Sequence, residues 1–174
     1  MSSFCCRKLL QLTMHLNIRA ATASDCQTLL TFIRELAEFE KLAHEVKASE
    51  AGLKQTLFVE NNGIEALVAE LDGVPAGFAL YFKNYSTFLA KPGLYLEDLY
   101  VSPKYRSRGI GEAILKHLAN LCLQRNYGRL EWSVLDWNER AIKFYRSVGA
   151  VGMNDWTAQR MDEAALRKFV EDRK

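Results

Sequence analysis

The chain has 174 residues, 49% apolar and 25% charged, the balance of one ordinary globular domain rather than of a disordered chain. A net charge of +2 is too mild to imply nucleic acid, and basic residues are scattered except at Lys104, Arg106 and Arg108. No run approaches the ~18 apolar residues of a membrane span.

Four cysteines (Cys5, Cys6, Cys26, Cys122) and three histidines (His15, His44, His117) lack ligand spacing. Neither a metal nor a disulfide framework is therefore expected, and reduced thiols in a cytoplasmic protein are the simpler reading. Residues 1–15, MSSFCCRKLLQLTMH, lack the apolar core and cleavage site of a secretory signal. Periodic sequence starts near Leu16, just after Met14. Residues 1–15 are thus expected to be a poorly ordered or dispensable extension, or a start placed too far upstream. Residues 16–174 are expected to form a single domain.

Asn17 to Ala21 predicts a first strand, and Thr22 to Asp25 supply cap-type residues. Leu29, Leu30, Ile33, Leu36 and Ala37 then recur at helical spacing. A second helix is predicted over Ser49 to Leu57. Glu65 to Leu71 and Val74 to Lys83 read as a hairpin about the Asp72-Gly73 turn. A strand over Leu94 to Val101 stops at Ser102-Pro103, and a helix follows from about Glu112 to Arg125. Its apolar stripe is Ile114, Leu118, Leu121 and Cys122. Next come a strand from Arg129 to Leu135 and a helix from Asn138 to Val148, which Gly149 ends. Weak strand signals and a short helix, Glu163 to Glu171, close the chain. The central strand–helix–strand unit requires a parallel pair in an otherwise antiparallel α/β sheet. A site is expected where those parallel strands end and a helix begins.

That point carries Arg106-Ser107-Arg108-Gly109-Ile110-Gly111-Glu112. Gly109 and Gly111 have no Cβ, so a ligand can approach the backbone closely. The amides and dipole of a helix start favour an anion, and Arg106 and Arg108 add charge-assisted donors suited to phosphate. No G-K-[ST] and no G-x-G-x-x-G is present, which excludes a Walker loop and a dinucleotide fold. A lone G-x-G is equally the mark of a plain glycine turn with solvated arginines.

With its preceding strand, the Arg106-x-x-Gly109-x-Gly111 pattern resembles the acetyl-CoA signature of the GNAT superfamily of N-acetyltransferases. Three longer stretches, YLEDLYVSPKYRSRGIG, VLDWNERAIKFYRSVGA (Val134 to Ala150) and FIRELAEFEKL (Phe32 to Leu42), are similar to the diamine acetyltransferases. That family comprises spermidine/spermine acetyltransferases and their thialysine-acetylating relatives. The resemblance implies a GNAT-like fold with a splayed central pair of strands and helices on both faces. Backbone groups of Leu99, Tyr100 and Val101 would hold the pantetheine arm. Arg106, Ser107, Arg108, Gly109, Ile110, Gly111 and Glu112 would hold the pyrophosphate. Asn138, Glu139, Arg140 and Ala141, with Tyr145, would flank the thioester. It also implies a homodimer.

Acyl transfer to an amine poses two proton problems. An alkyl amine with a pKa near ~10 arrives charged and non-nucleophilic, and the departing thiolate must be neutralised. Glu97 is the candidate acceptor, through water, because its strand is otherwise apolar and aromatic and partial burial would make it a stronger base. Outside this motif, a strand carboxylate is more often ion-paired or solvated. The resemblance implies Tyr145, near the cofactor sulfur, as the candidate acid, on a helix where Ile142, Phe144 and Val148 also predict an ordinary core aromatic. Asn138 also suits a helix N-cap. No serine, threonine or cysteine shows a nucleophile-plus-base arrangement, which favours direct transfer.

A cationic acceptor needs carboxylates, and Glu40, Glu97 and Asp98 are family-like positions for them, with Phe39 against the methylenes. Glu35 and Glu38 read as helix-face charges, Glu35 less clearly. Ser86 stands where the polyamine enzymes carry an acid, and Asn154-Asp155-Trp156 is less acidic than their counterpart. A lysine-like or thialysine-like amine, or a short diamine, is therefore expected over spermine. The alternatives are a protein or peptide N-acetyltransferase and a CoA-binding regulatory module without turnover.

Overall fold

Strands β1 (Leu16–Ala20), β2 (Ile64–Leu71), β3 (Val74–Ser86) and β4 (Lys91–Val101) lie side by side, each antiparallel to the next. Strand β5 (Leu130–Trp132) joins β4 in parallel, giving the order β1-β2-β3-β4-β5. The structure, a computed structural model, describes residues 14–60 and 62–171, and the chain divides between Ser133 and Val134 into two compact units. Of the expected extension only Met14 and His15 are described; Cys5 and Cys6 lie outside the described residues.

In the first unit, helices α1 (Cys26–Phe39), α2 (Glu50–Leu57) and α3 (Ile110–Gln124) cover the sheet. Leu29 and Phe32 of α1 pack on Val68, Phe78 and Tyr100, which are cross-strand neighbours on one sheet face. Phe32 meets Phe78 at 6.0 Å between ring centroids and Tyr100 at 5.8 Å. The next residue, Val101, points to the opposite face. There α3 begins, and a Cβ on Gly111 would lie 3.9 Å from Val101 Cγ2. The buried stripe Ile110, Ile114 and Leu118 of α3 has the four-residue spacing of one helix face. Both sheet faces are therefore covered.

Salt links fix the start of α1 to the sheet. Arg19 on β1 donates through both Nη atoms to Asp25 at 2.8 Å each, and through Nε to Glu70 on β2 at 2.8 Å. Asp25 also accepts from the Thr22 amide at 2.7 Å. The Arg19 guanidinium holds the Asp25 carboxyl down at about 2, against the cost of burial.

The hairpin turn at Asp72-Gly73 forms as expected, both residues left-handed at φ 52° and 78°. Strand β3 runs past the expected Lys83 to Ser86, which pairs with Lys91. Strand β5 is shorter than the expected Arg129 to Leu135, because its ladder with β4 stops at Leu96 and Trp132. Helix α3 starts at Ile110, earlier than the expected Glu112, since Gly109 at φ 77° supplies the turn into it. Among the described residues no helix is long and apolar enough to cross a membrane.

The second unit holds α4 (Glu139–Ser147) and α5 (Glu163–Glu171). Asn138 caps α4, its side chain accepting from the Ala141 amide at 3.2 Å. Gly149 at φ 93° ends it, with the Ala150 amide bonded to the Tyr145 carbonyl. The strand expected after this helix is absent among the described residues. Val151, Met153 and Trp156 are strand-compatible but exposed, and a strand persists only with a ladder partner.

Candidate active site

The parallel ladder covers only Leu94 to Leu96 of β4, whereas β3 accompanies β4 through to Val101. From Glu97 onward, the side of β4 facing away from β3 lies beyond the β5 ladder. This is the splayed central pair, and the length of β4 that β5 leaves unladdered carries Leu99, Tyr100 and Val101. A β-bulge marks where it opens. One step along β3, Leu80 to Tyr81, faces two steps of β4, Asp98 to Leu96, so Glu97 is the extra residue.

The bulge separates the two acids. Glu97 is exposed, in contrast to the partial burial expected of it, because the extra residue of a bulge is released from the pleat that would have covered it. Asp98 is half-buried, and its carboxyl is pushed up to about 6, by burial first and then by the negative charges of Glu97 and Glu40. Glu40, also half-buried, is raised by burial. Burial, with the negative charges of Glu97 and Glu40, thus makes Asp98 a stronger base than an ordinary aspartate, while its neighbour Glu97 faces solvent.

Glu40 stands at the end of α1. There the Lys41 amide bonds to the Glu38 carbonyl at 3.1 Å and the Leu42 amide to the Ala37 carbonyl at 2.8 Å. Lys41 occupies the left-handed position at φ 62°, where glycine is usual. This closing turn sets Phe39 and Glu40 at the helix end. Glu35, one turn earlier, accepts from the Tyr100 hydroxyl at 2.9 Å, and that phenol is pushed up to about 12 by burial and by this bond. Glu35 is therefore not the helix-face charge expected; it is the polar partner that a buried tyrosine requires.

The glycine turn follows β4. Ser107 and Gly109 both have positive φ, 61° and 77°, which curls the chain around Arg108 and presents backbone amides to an anion. The amides of Ile110, Gly111 and Glu112 fall in the unpaired first turn of α3, whose first bond runs from Ala113 to Gly109. Glu112 also pairs with Lys116 at 2.7 Å. Arg108 is exposed and Arg106 half-buried. Arg106 turns back on β4, its Nε donating to the Val101 carbonyl at 2.9 Å.

The first unit therefore brings together Phe39, Glu40, Glu97, Asp98, Leu99, Tyr100, Val101 and Arg106 through Glu112. In the second unit Asn138, Glu139, Arg140 and Ala141 form the start of α4. Tyr145 lies on that helix, against Phe144 at 5.6 Å between centroids. The bulge, the Glu35–Tyr100 bond and the inward turn of Arg106 are features that sequence reasoning misses. Only Tyr100, an aromatic with a hydroxyl in an apolar strand, signals that a buried partner is needed.

A model described as the acetyltransferase (GNAT) family matches residues 29–150. The chain is 40% identical to thialysine N-epsilon-acetyltransferase from Mus musculus, over 88% of this chain and 96% of that protein. It is 31% identical to an L-ornithine N5-acetyltransferase from Arabidopsis thaliana, over 88% of this chain and 87% of that one. Among solved structures, an integron cassette protein from the mobile metagenome of V. cholerae superposes with a TM-score of 0.76. It is 28% identical, over 90% of this chain and 98% of that one.

Proposed function

Since this chain belongs to the acetyltransferase (GNAT) family, we propose that it moves acetyl from acetyl-CoA to the side-chain amine of a lysine-like or thialysine-like amino acid, or to a short diamine. The chain is an N-acetyltransferase; the acceptor, the site residues and the assembly are the proposed part. One observation carries the acceptor reading. Asp98 is half-buried beside Glu97 and Glu40 at the bulge that opens the central strands, and it is pushed up to about 6. A carboxylate crowded by like charges gains most from an incoming cation. The relatives act in the same sense, being named for thialysine and for ornithine, amino acids with a second amine. Three carboxylates suit one or two positive charges better than the four of spermine.

In the proposed reaction the amine enters protonated and is held by Glu40, Glu97 and Asp98, with Phe39 along its methylenes. Asp98 takes the ammonium proton, directly or through water, since a group near 6 is half in its basic form at that pH and almost fully so at pH 7.5. Glu97, exposed at the bulge, recognises the cation. The neutral amine attacks the thioester carbonyl, a C–N bond forms, the C–S bond breaks, and the thiolate needs a proton. Tyr145 is proposed to donate it, and the second proton shed by the acylated nitrogen restores the phenol, while the proton on Asp98 leaves to solvent. Backbone groups of Leu99 to Val101 hold the pantetheine arm, and the amides of Ser107 to Glu112, with Arg108, the pyrophosphate. Asn138, Glu139, Arg140 and Ala141 flank the thioester end, and the Asn138 cap fixes the start of their helix.

A panel of amines assayed with acetyl-CoA and a thiol reagent tests the acceptor. Thialysine, lysine and ornithine are expected to exceed spermine in kcat/KM, and a preference for spermine would overturn the ranking. Tyr145→Phe with full turnover would remove the acid assignment. The chain is further proposed to be a cytoplasmic homodimer, a reading supported by free buried thiols at Cys26 and Cys122 and by exposed Val151, Met153 and Trp156. Light scattering over a dilution series checks the dimer, and a monomer throughout would sink it.

A further inference from the structure

The two arginines of the cofactor turn are not equivalent. Arg108 is exposed; its guanidinium carbon lies 5.9 Å from the Tyr105 ring centroid, and the neighbouring Lys104 Nζ lies 4.8 Å from the same ring. Both cations are exposed, Arg108 donating through Nη1 to the Met14 Sδ at 3.3 Å. Arg106 faces the other way. Its Nε is bonded to the Val101 carbonyl, and its guanidinium carbon sits 5.1 Å from the Phe39 ring centroid and 5.7 Å from that of Tyr100. Tyr100 in turn donates to Glu35 at 2.9 Å. Phe39 and Glu35 both belong to α1, and Glu40 follows Phe39 directly.

We propose that Arg106 is a positioning residue that couples the cofactor turn to the acceptor end of α1, rather than a ligand of the diphosphate. A guanidinium stacked on rings and committed at Nε to a strand carbonyl is held in one orientation by its flat face and its edge together. That orientation fixes the end of β4, from which the glycine turn departs, and the last turn of α1, which presents Phe39 and Glu40. A shift of the turn on cofactor binding is therefore transmitted to the acceptor carboxylates through one side chain. The diphosphate falls to Arg108, Lys104 and the turn's amides. Lysine at this position would keep the charge but lose the planar stack.

The proposal rests on the acetyl-CoA reading, and its test separates the two. Wild type, Arg106→Gln, Arg106→Lys, Phe39→Ala, Phe39→Tyr, Arg108→Gln and the Arg106→Gln/Phe39→Ala double variant are compared. Calorimetry gives affinities for acetyl-CoA and for S-acetylpantetheine, which lacks the diphosphate, at several salt concentrations; kinetics gives KM and kcat for the amine. Arg106→Gln and Phe39→Ala are each expected to weaken both thioesters by a similar factor, about threefold to tenfold, and to raise the amine KM, with the salt slope unchanged. In thioester affinity the double variant is expected to be no worse than Arg106→Gln, because Phe39 enters that coupling only through Arg106. Phe39→Tyr restores function and Arg106→Lys does not. Arg108→Gln weakens acetyl-CoA alone and flattens its salt dependence. Should Arg106→Gln instead lose acetyl-CoA selectively and flatten that slope, Arg106 is a phosphate ligand and the coupling is overturned. Phe39 is 40% exposed, so its variants carry the test even if Arg106→Gln does not fold; a Phe39→Ala protein with unchanged thioester affinity overturns the proposal by itself. Wild-type protein that bound no acetyl-CoA would overturn the acetyltransferase reading, and this one with it.

Discussion

The carboxylates at the two ends of α1 are perturbed in opposite directions. At its start, Asp25 is bonded to Arg19 by two 2.8 Å contacts and held down at about 2. At its end, Asp98 is pushed up to about 6 by burial first and then by the like charges of Glu97 and Glu40. Both are acids in partly dry surroundings; what differs is the company. The first cluster is complete, and its charges tie β1, β2 and α1 together. The second is electrostatically unfavourable as it stands, which fits the proposed amine site better than a structural ion pair.

Removing the acid at the second end should have the larger effect, and on turnover. Asp98→Asn is expected to lower kcat/KM for the amine by about 10²- to 10³-fold, the scale of a lost general base. It should also abolish the fall in kcat/KM expected of the wild type below about pH 6, with acetyl-CoA affinity unchanged by calorimetry. Glu97→Gln is expected to act mainly on the amine KM. If Glu97→Gln removed the acidic limb and Asp98→Asn kept it, the two acids would exchange roles.

The next effect belongs to the first end and is one of stability. Arg19→Met leaves Asp25 and Glu70 without their cation, at an expected cost of about 2–3 kcal/mol, reduced from the fully buried case because Arg19 is 34% exposed. Denaturant unfolding reads this as a lower midpoint at equal slope, while kcat per folded molecule stays at the wild-type value. The sign with pH also follows. A depressed carboxyl stabilises above its ordinary value, and this is lost as pH falls from about 4 to about 2, so Arg19→Met should flatten the wild type's acid limb there. Asp25 contacts that contributed nothing would leave both curves superimposed.

Much of this contrast is legible in the residues themselves. Asp72-Gly73 dictates a hairpin, Gly109 and Gly111 a turn into a helix, and Asn138 and Gly149 the two ends of another. The acids Glu40, Glu97 and Asp98 read as one group only through the family resemblance, and the fold sets Glu97 and Glu40 near enough to act on Asp98. The bulge is not legible. Both sheet faces are covered, so Leu94, Leu96 and Tyr100 stay buried on either side of it and the alternation shows no break. Strand and motif together make Glu97 the candidate base, and neither announces that the bulge exposes it. The stop after Phe39 is hidden too, because Lys41 occupies a left-handed position that glycine would have announced. Arg106 reads as a phosphate donor because a basic residue beside glycines predicts one. Its orientation depends on Phe39 and Tyr100, and Phe39 is remote in sequence.

A smaller effect separates the two ends most cleanly, because its sign reverses between them. For Asp98 the folded value of about 6 exceeds the ordinary 3.8, so between those pH values the folded state binds more protons than the unfolded one. Stability therefore falls as pH rises from about 4 to about 6 and stays low above, the reverse of the Asp25 contribution. Asp98→Asn keeps a neutral side chain of the same shape and should remove that loss, raising stability at pH 7.5 by about 1–2 kcal/mol, below the full linkage value of about 3 because water screens part of it. Thermal unfolding at pH 4.5 and pH 7.5 supplies the comparison. The variant's gain should appear at the higher pH and shrink at the lower, and a saturating amine should raise the wild-type midpoint more than the variant's. An Asp98→Asn protein no more stable than wild type at pH 7.5, or equally stabilised by the amine, would mean that Asp98 is already satisfied without a ligand and that the contrast between the two ends of α1 does not hold.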